Sequence, residues 1–304
     1  MTFELTILGS SSATPAHDRN PSAQVLNIHA QLILIDCGEA TQIQLSRYKI
    51  KAHSIRHIFI SHLHGDHYLG LIGLLSTMHL QGRTAEIHLH AHQELKEIID
   101  VQLKYSDTKF RYPLVFHELP PNSGQILLNE TTFTVESIRM NHRIPCSGFV
   151  FREKKAPRKL IKEKLAYYRI PPEACAEIKT GKDYFDAASG KNIRNEDLTI
   201  DSLSPRNYAY CPDTIYDESI LPFIKNADLL YHEATFANDM AERARETFHT
   251  TAEQAAMMAS RAEARRLIIG HFSARYKDLN SILSEARNVF PETHLALEGK
   301  KFTL

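Results

Sequence analysis

His62-Leu63-His64-Gly65-Asp66-His67 is the stretch of sequence that decides the fold we expect, and it directly follows the apolar run Ile58-Phe59-Ile60-Ser61. Imidazole and carboxylate groups suit a zinc-like divalent ion, and histidines two residues apart on extended backbone point to one side. Asp66 and His67 lie on the next turn of chain and can serve a second ion. A solvated histidine-rich loop is the alternative interpretation, but four ligand residues behind a buried strand favour a metal site.

The composition is that of an ordinary globular protein, with 304 residues, 43% hydrophobic and 24% charged. Because the formal net charge is zero, a nucleic-acid partner would have to be held by a local basic patch. Four scattered cysteines without a C-x-x-C pair indicate a reducing compartment. The N-terminus does not resemble a signal peptide and no segment is apolar enough to span a bilayer. We therefore expect a cytoplasmic protein without a membrane partner.

Short apolar runs recur along the chain and read as strands of a mostly buried sheet. An aspartate or histidine stands at, or just past, the end of several runs, namely Asp36, His62, Asp213, His232 and His271. Because groups at strand ends can converge on one edge of a sheet, we expect these side chains to lie together. Chance is the alternative, since polar residues often end strands, but five such positions favour convergence.

Helices are predicted between the strands, at Leu69 to Leu80 and at Ala252 to Arg266. The second helix follows Thr250-Thr251-Ala252-Glu253, where a threonine precedes a glutamate by three residues, as in a capping box.

Residues 152–196 differ in character from the rest of the chain. Their first part, residues 152–164, holds seven Lys or Arg against two Glu, and Tyr167-Tyr168 and Pro171-Pro172 follow. A basic, aromatic and proline-interrupted segment indicates an inserted flexible arm outside the core. A solvated helix and loop is the simpler alternative.

The histidine motif resembles the H-x-H-x-D-H signature of the metallo-β-lactamase superfamily, whose α/β fold is a four-layer αββα sandwich with metals at one edge. The resemblance implies a single domain of this fold over residues 1–304, with the arm at residues 152–196 inserted within it. Other stretches, in order along nearly the whole chain, resemble motifs of the ribonuclease Z family, which matures the 3′ end of transfer RNA. They are Asp36-Cys37-Gly38-Glu39-Ala40-Thr41-Gln42, Asn141-His142-Arg143-Ile144-Pro145, Cys211-Pro212-Asp213-Thr214, His232-Glu233-Ala234-Thr235, His249-Thr250-Thr251-Ala252 and Gly270-His271-Phe272-Ser273-Ala274-Arg275-Tyr276.

The resemblance implies two Zn²⁺ per subunit, with Mn²⁺ as the alternative metal. One ion would be held by His62, His64 and His142, the other by Asp66, His67 and His271, and Asp213 would bridge them. Asp66 would also accept the proton of the attacking water. The resemblance assigns proton transfer to the leaving 3′ oxygen to Glu233 and His249; without it, His249 reads as a residue at the start of a helix.

The resemblance also implies contacts with precursor transfer RNA and a homodimer. The N-terminal loop would contribute Ser11, Thr14 and Arg19. The arm would grip the transfer-RNA elbow through Lys154, Lys155, Arg158 and Lys159, giving salt-sensitive and largely sequence-independent affinity. Two positions depart from the family pattern: Glu173-Ala174 stands where many members have Gly-Pro, and Pro212 replaces the glycine before the bridging aspartate.

The implied function is zinc-dependent endonucleolytic removal of the 3′ trailer from precursor tRNA, leaving a 3′-hydroxyl on the tRNA and a 5′-phosphate on the trailer. The alternative is a broader phosphodiesterase or other lactamase-like hydrolase of small esters, which would not need residues 152–196. A non-catalytic RNA-binding protein is a third hypothesis, but a complete ligand set speaks against it.

Overall fold

Two seven-stranded sheets form the framework in the computed structural model, which describes residues 2–187 and 189–304. Met1, at the start of the predicted domain, and Ala188, inside the predicted arm, lie outside the described residues. The chain divides into two compact units. The first contains residues 2–129, 134–152 and 206–304, and the second contains residues 130–133 and 153–205.

The first sheet is built mainly from the N-terminal part of the chain. Its strands are β1 (Phe3–Gly9), β2 (Ala23–Ile28), β3 (Gln31–Cys37), β4 (Ile55–Phe59), β5 (Ile87–Ala91), β6 (Leu114–Glu118) and β18 (Lys301–Thr303). They lie in the order β18-β1-β2-β3-β4-β5-β6. Strands β3 to β6 run parallel, whereas β18, β1, β2 and β3 pair antiparallel.

The second sheet has the order β17-β16-β15-β14-β9-β8-β7. Its strands are β7 (Ile126–Asn129), β8 (Phe133–Arg139), β9 (Ser147–Glu153), β14 (Asn207–Cys211), β15 (Leu229–Glu233), β16 (Leu267–Gly270) and β17 (Thr293–Leu295). Strands β14 to β17 are parallel. Parallel strands place their carboxyl ends at a common edge, which is where the candidate site lies.

Helices cover the outer faces of both sheets in the first unit. They are α1 (Thr41–Arg47), α2 (Gly65–Tyr68), α3 (Leu71–Leu80), α4 (Glu94–Tyr105), α8 (Leu221–Ile224), α9 (Ala241–Thr247), α10 (Ala252–Arg261) and α11 (Asn280–Val289), with 3-10 turns at Ala52–Ser54, Glu218–Ile220 and Asn238–Met240. Helices α1, α3 and α4 bury apolar side chains against the first sheet. Helices α10 and α11 do the same against the second.

Aromatic side chains join the inner faces of the two sheets. Phe59 of β4 contacts Phe149 and Phe151 of β9, with ring centroids 5.1 and 5.8 Å apart. The Tyr208 hydroxyl on β14 donates a hydrogen bond to the Gln24 side chain on β2. Two sheets packed face to face, each with helices on its outer side, confirm the predicted four-layer αββα sandwich.

The predicted helix after residue 250 starts where expected, but its cap and its end were predicted wrongly. The capping box pairs Thr251 with Gln254, one residue later than the predicted pair. The helix stops at Arg261 because Glu263 adopts a left-handed backbone with φ of 52° before the chain enters β16.

The other predicted helix, Leu69 to Leu80, is interrupted at its start, and α3 begins at Leu71. Gly70 lies between α2 and α3, where a Cβ would stand 2.1 Å from the Gly38 carbonyl oxygen. The chain therefore needs glycine at this close approach.

The second unit contains most of the predicted arm. It consists of two small antiparallel pairs, β10 (Lys159–Leu160) with β13 (Thr199–Ile200) and β11 (Tyr184–Asp186) with β12 (Lys191–Ile193), and of α5 (Lys162–Tyr167), α6 (Cys175–Ile178) and α7 (Asn195–Leu198). Ile178, Ile193 and Leu198 form a small core of its own. A 3-10 turn, Pro172–Ala174, leads into α6 at the position of the Glu173-Ala174 departure. Within the described parts of the chain, no helix combines the length and apolarity needed to cross a bilayer.

Candidate metal centre

Strand ends and the loops after them carry the candidate ligands to one edge of the sandwich. His62 follows β4, Asp213 follows β14 and His271 follows β16. The short helix α2 adds Asp66 and His67, and the loop between β8 and β9 adds His142. The structure thus brings together all seven predicted ligands.

Two other residues at predicted strand ends have different surroundings. Asp36 lies behind the ligands and hydrogen-bonds to His67. His232 is fully buried in β15, its Nδ1 hydrogen-bonds to the Glu233 carbonyl oxygen, and it belongs to no potential metal-binding group among the described residues. The predicted ligands therefore lie together at one edge of the sheets, as expected, whereas His232 does not join them.

The first cluster consists of His62, His64, His142 and Asp213. The His64 Nδ1 lies 3.1 Å from the Nε2 of both His62 and His142. The Asp213 Oδ2 lies 3.5 and 3.8 Å from the same two nitrogens. Burial lowers the pKa of His62 and of His142 to about 4, which favours the neutral imidazole whose lone pair binds a metal.

The second cluster consists of Asp66, His67 and His271, and the other Asp213 oxygen faces it. The His271 Nε2 lies 3.3 Å from His67 Nε2 and 3.2 Å from the Asp66 Oδ2. The Asp213 Oδ1 is 3.3 Å from His67 Nε2 and 3.2 Å from His271 Nε2. One carboxylate thus presents one oxygen to each cluster, which is the geometry of a bridging ligand.

These distances and donor types fit transition-metal ions. Ligand atoms around a tetrahedral ion with bonds of about 2.1 Å stand about 3.4 Å apart, close to the separations in both clusters. The Asp213 Oδ1 is buried and has no hydrogen-bond donor among the described residues, so it is left to a cation. Imidazole and carboxylate are the ligands that zinc and manganese use. The clusters therefore form a metal-binding site.

Charge in the site also favours cations. Burial alone would lower the pKa of His67, but the carboxylates of Asp213, Asp66 and Asp36 raise it well above its ordinary value. Burial would raise the pKa of Asp213, yet the surrounding imidazoles, first that of His271, hold it well below the ordinary range. The pocket thus stabilises positive charge at its centre and keeps the Asp213 carboxyl ionised.

The proposed proton-transfer pair is assembled beside the clusters. The His249 Nδ1 lies 3.0 Å from the Glu233 Oε1. Burial would lower the pKa of His249, but Glu233 and then Asp213 raise it to about 9. The raised pKa favours the protonated imidazole at neutral pH.

Glu233 is fully buried, and its two oxygens accept several hydrogen bonds. The donors to Oε1 are the amides of Thr214 and Thr250 at 3.2 and 2.9 Å, together with His249. The Thr235 amide and hydroxyl donate to Oε2 at 2.9 and 2.8 Å. Such a set of donors stabilises the carboxylate form.

The Thr235 hydroxyl connects this carboxylate to the metal ligands. It donates to Glu233 and lies 2.8 Å from the His271 Nδ1, from which it accepts a hydrogen bond. This contact leaves the His271 Nε2 facing the second cluster. In the first cluster, the Phe248 carbonyl oxygen, 3.0 Å from His142 Nδ1, has the same effect on His142. The sequence prediction did not include Thr235 as a site residue, although it ends the quoted His-Glu-Ala-Thr motif.

A cleft of about 320 Å³ gives access to both clusters and to His249. Its lining includes Ser12, Ala13, Glu39, His64, Asp66, Arg143, Asp213, His249 and His271. The Ala13 amide donates to the Asp66 Oδ2 at 2.7 Å, so the N-terminal loop also fixes a ligand.

The three predicted substrate contacts of the N-terminal loop lie near the cleft but do not line it. Ser11 is fully buried and its hydroxyl donates to the Thr14 carbonyl oxygen at 2.7 Å. The Thr14 side chain is exposed. Arg19 is half-buried, donates to the Tyr276 carbonyl oxygen at 2.7 Å and borders a separate surface pocket.

The predicted contacts of the arm lie in the second unit. Lys154, Lys155 and Lys159 are exposed. The Lys154 Nζ donates to the Glu130 carbonyl oxygen at 2.5 Å. The Arg158 guanidinium hydrogen-bonds to Asp201 and to the Thr199 hydroxyl.

Known proteins resemble this chain over nearly its whole length. A ribonuclease Z of Cytophaga hutchinsonii is 48% identical over 302 residues, covering 99% of this chain and 96% of that protein. A ribonuclease Z of Bacteroides fragilis is 46% identical over 297 residues, covering 98% and 97%.

Solved structures agree with this relationship. The crystal structure of human tRNase Z, short form, matches with a TM-score of 0.70 and 27% identity over 98% of both chains. The metallo-beta-lactamase fold protein YhfI from Bacillus subtilis, at 21% identity, also has a TM-score of 0.70 and supports the fold alone. A family model described as Anti-Pycsar protein Apyc1 matches residues 3–156, which carry the histidine motif. The two ribonuclease Z relatives cover nearly the whole chain at 48% and 46% identity, so this chain belongs to the ribonuclease Z family.

Proposed function

We propose that this protein is a zinc-dependent endoribonuclease that removes the 3′ trailer from precursor tRNA, leaving a 3′-hydroxyl on the tRNA and a 5′-phosphate on the trailer. The observation that carries the proposal is Asp213, whose two oxygens face two separate ligand clusters beside the Glu233–His249 pair. The names of the relatives, ribonuclease Z and tRNase Z, support this substrate.

We assign one Zn²⁺ to His62, His64 and His142, a second to Asp66, His67 and His271, and the bridge to Asp213, with Mn²⁺ as the alternative metal. Two such cations, when bound, activate a water molecule and neutralise charge on the phosphodiester.

Side chains of the protein carry out the two proton transfers. The Asp66 carboxylate, which reaches the cleft and is held by the Ala13 amide, accepts the proton of the attacking water. His249, oriented through Nδ1 by Glu233, donates its Nε2 proton to the leaving 3′ oxygen. Acid and base functions thus rest on different residues bordering one cleft.

Substrate affinity is proposed to come from the arm at residues 152–196, inserted in a single domain spanning residues 1–304. Exposed Lys154, Lys155 and Lys159, together with Arg158, would contact tRNA phosphates. Ser11, Thr14 and Arg19 would shape the N-terminal loop near the reacting phosphate. Raising the salt concentration should therefore weaken tRNA binding more than it slows hydrolysis of a small ester.

The family resemblance supports two further proposals. The first is a homodimer, which sedimentation of the purified chain would test. The second is a cytoplasmic location, which agrees with four free cysteines, three of them buried.

Cleavage of one defined precursor tests the proposed activity. A tRNA transcript with a 3′ trailer should be cut at one position by the zinc-loaded protein, and end analysis should find a 3′-hydroxyl on the tRNA. Cleavage should stop with a chelator and with Asp66→Ala. If Asp66→Ala cut the transcript as fast as the wild type, the assigned mechanism would be wrong.

Removal of residues 153–205 tests the arm. Arg152 and Asn207 are paired residues of the neighbouring strands β9 and β14, so a short turn can rejoin the chain. The shortened protein should lose most tRNA cleavage but hydrolyse a small aryl phosphodiester at the wild-type rate. Equal loss on both substrates would contradict the role of the arm. An intact protein that hydrolyses only the small ester would support the alternative of a broader phosphodiesterase.

A further inference from the structure

A single buried carboxylate, Asp36, lies directly behind the histidine motif. Asp36 is fully buried in β3, and its backbone is left-handed with φ of 55°. Its Oδ1 accepts a hydrogen bond from the Ser61 amide at 2.7 Å. Its Oδ2 lies 2.9 Å from the Ser61 hydroxyl, 2.7 Å from His67 Nδ1 and 2.6 Å from the Tyr210 hydroxyl. An ionised carboxylate can accept all of these hydrogen bonds.

Asp36 influences one ligand of each metal cluster. The His67 Nδ1–H donates directly to Asp36, which leaves the His67 Nε2 for the second cluster. The Ser61 hydroxyl donates to Asp36 and accepts from the His62 Nδ1, 3.0 Å away, which leaves the His62 Nε2 for the first cluster. Both contacts select the tautomer that a metal needs.

Tyr210 provides the only donor to Asp36 that comes from the opposite sheet, among the contacts of the described residues. It is buried on β14, three residues before the bridging Asp213. Burial raises the pKa of the Tyr210 hydroxyl well above its ordinary value, so the group stays protonated and acts as a donor. The hydrogen bond therefore ties β14, the strand that leads to Asp213, to β3, the strand that carries Asp36.

We propose that Tyr210 is a positioning residue for both metal ions, because its hydroxyl fixes the Asp36 carboxylate that orients His67 directly and His62 through Ser61. Loss of this hydroxyl leaves Asp36 freer to rotate and leaves both imidazoles less well oriented. The inference rests on the proposed two-metal assignment. It adds a residue that touches neither metal nor substrate.

Tyr208 supplies a matched control on the same strand. It is equally buried, and its hydroxyl also crosses between the sheets, but it donates to Gln24 instead of Asp36. Tyr208→Phe and Tyr210→Phe each remove one buried hydroxyl from β14. Any loss of fold stability should therefore be similar in the two variants, whereas the effect on metal binding should differ.

Metal affinity, measured on the purified full chain by Zn²⁺ competition with a chromophoric chelator, tests the proposal. Tyr210→Phe should weaken both binding steps by about tenfold, at the lower end of the range for residues behind metal ligands. Tyr208→Phe should bind zinc like the wild type. The visible absorption of the Co²⁺-loaded protein should change in Tyr210→Phe and stay unchanged in Tyr208→Phe, which reports ligand geometry independently of activity.

Ser61→Ala keeps the test decisive if Tyr210→Phe does not fold. Removing this hydroxyl breaks the connection from Asp36 to His62 and should weaken one binding step more than the other. Unchanged zinc affinity in a folded Tyr210→Phe, or equal loss in both tyrosine variants, would overturn this inference alone. A wild-type protein that binds no zinc would overturn the proposed function as well.

Discussion

His249→Ala should separate the chemistry of the leaving group from the chemistry of attack. In the structure, the His249 Nδ1 lies 3.0 Å from Glu233, which raises the pKa of the imidazole to about 9 and favours its protonated form at pH 7. A ribose 3′ oxygen is a poor leaving group and needs that proton as the bond breaks. A nitrophenolate is stable without it.

The expected loss follows from the size of general acid catalysis. Removing a positioned proton donor costs about 10²- to 10⁴-fold in rate, or about 3–5 kcal/mol of transition-state stabilisation. The metal ligands keep their orienting hydrogen bonds in His249→Ala, because His271 is oriented by Thr235 and His142 by the Phe248 carbonyl oxygen. The attack step should therefore remain intact.

Single-turnover rates on two substrates provide the assay. Precursor-tRNA cleavage by His249→Ala should fall by at least about a hundredfold, whereas hydrolysis of a nitrophenyl phosphodiester by the same preparation should change less than about threefold. Zinc content should match the wild type. An equal fall on both substrates would refute the assignment of His249 as the acid, and so would unchanged cleavage of the tRNA.

Three further changes should give distinct results. Asp213→Asn replaces one bridging oxygen by an amide nitrogen and should lower the zinc content measured by elemental analysis; an unchanged content would contradict the bridge. Thr235→Val removes the hydroxyl behind His271 and should weaken zinc binding about 10- to 100-fold in chelator competition, whereas Thr250→Val should not. Burial and then neighbouring imidazoles lower the pKa of His90 to about 2. The unfolded chain therefore binds a proton that the folded chain does not, and stability is lost as the pH falls below about 6.5. In His90→Phe, the free energy of unfolding measured in urea should therefore fall less steeply with decreasing pH between about pH 6.5 and 4.5, by up to about 1.4 kcal/mol per pH unit. An unchanged slope would disprove this.

The clustering of the candidate metal ligands could be expected from the sequence because their residue types are restricted by their chemistry. Few side chains can bind a transition metal, and a dense group of them after an apolar strand is rarely explained otherwise. The structure brings together His62, His64, Asp66, His67 and the distant ligands. A position at the end of a strand predicts a metal ligand less well than residue type does. His232 has such a position, but it belongs to neither ligand cluster.

The groups that orient the ligands could not be predicted in the same way. Ser61, Thr235 and Tyr210 act through hydroxyls, and a hydroxyl residue near a motif is too common in sequences to indicate a role. Its function depends on whether a carboxylate and an imidazole approach it from other strands. That approach is set by the packing of the two sheets and has no local sequence pattern.

The arm shows another limit of sequence patterns. Its many basic residues suggested a segment outside the core. Ile178 lies 15 residues before Ile193, and the five-residue spacing from Ile193 to Leu198 fits no helical or strand period. Their contact depends on the turn at Pro172–Ala174 and on the β11–β12 hairpin. Charge therefore predicted the surface of this unit, while its small core became visible only in the structure.

Pro212, which stands where the family commonly has glycine, is accommodated because it lies just after the end of β14. Pairing of β14 with β15 ends at Cys211, opposite His232, and pairing with β9 ends at Tyr210. A residue at position 212 therefore has no ladder hydrogen bond to lose, and proline's missing amide costs none. Asp213 is followed by Thr214, whose amide donates to Glu233 at 3.2 Å. The chain is thus fixed on both sides of the bridging carboxylate, by the end of β14 and by Glu233, so the glycine common in the family is not required here to place Asp213.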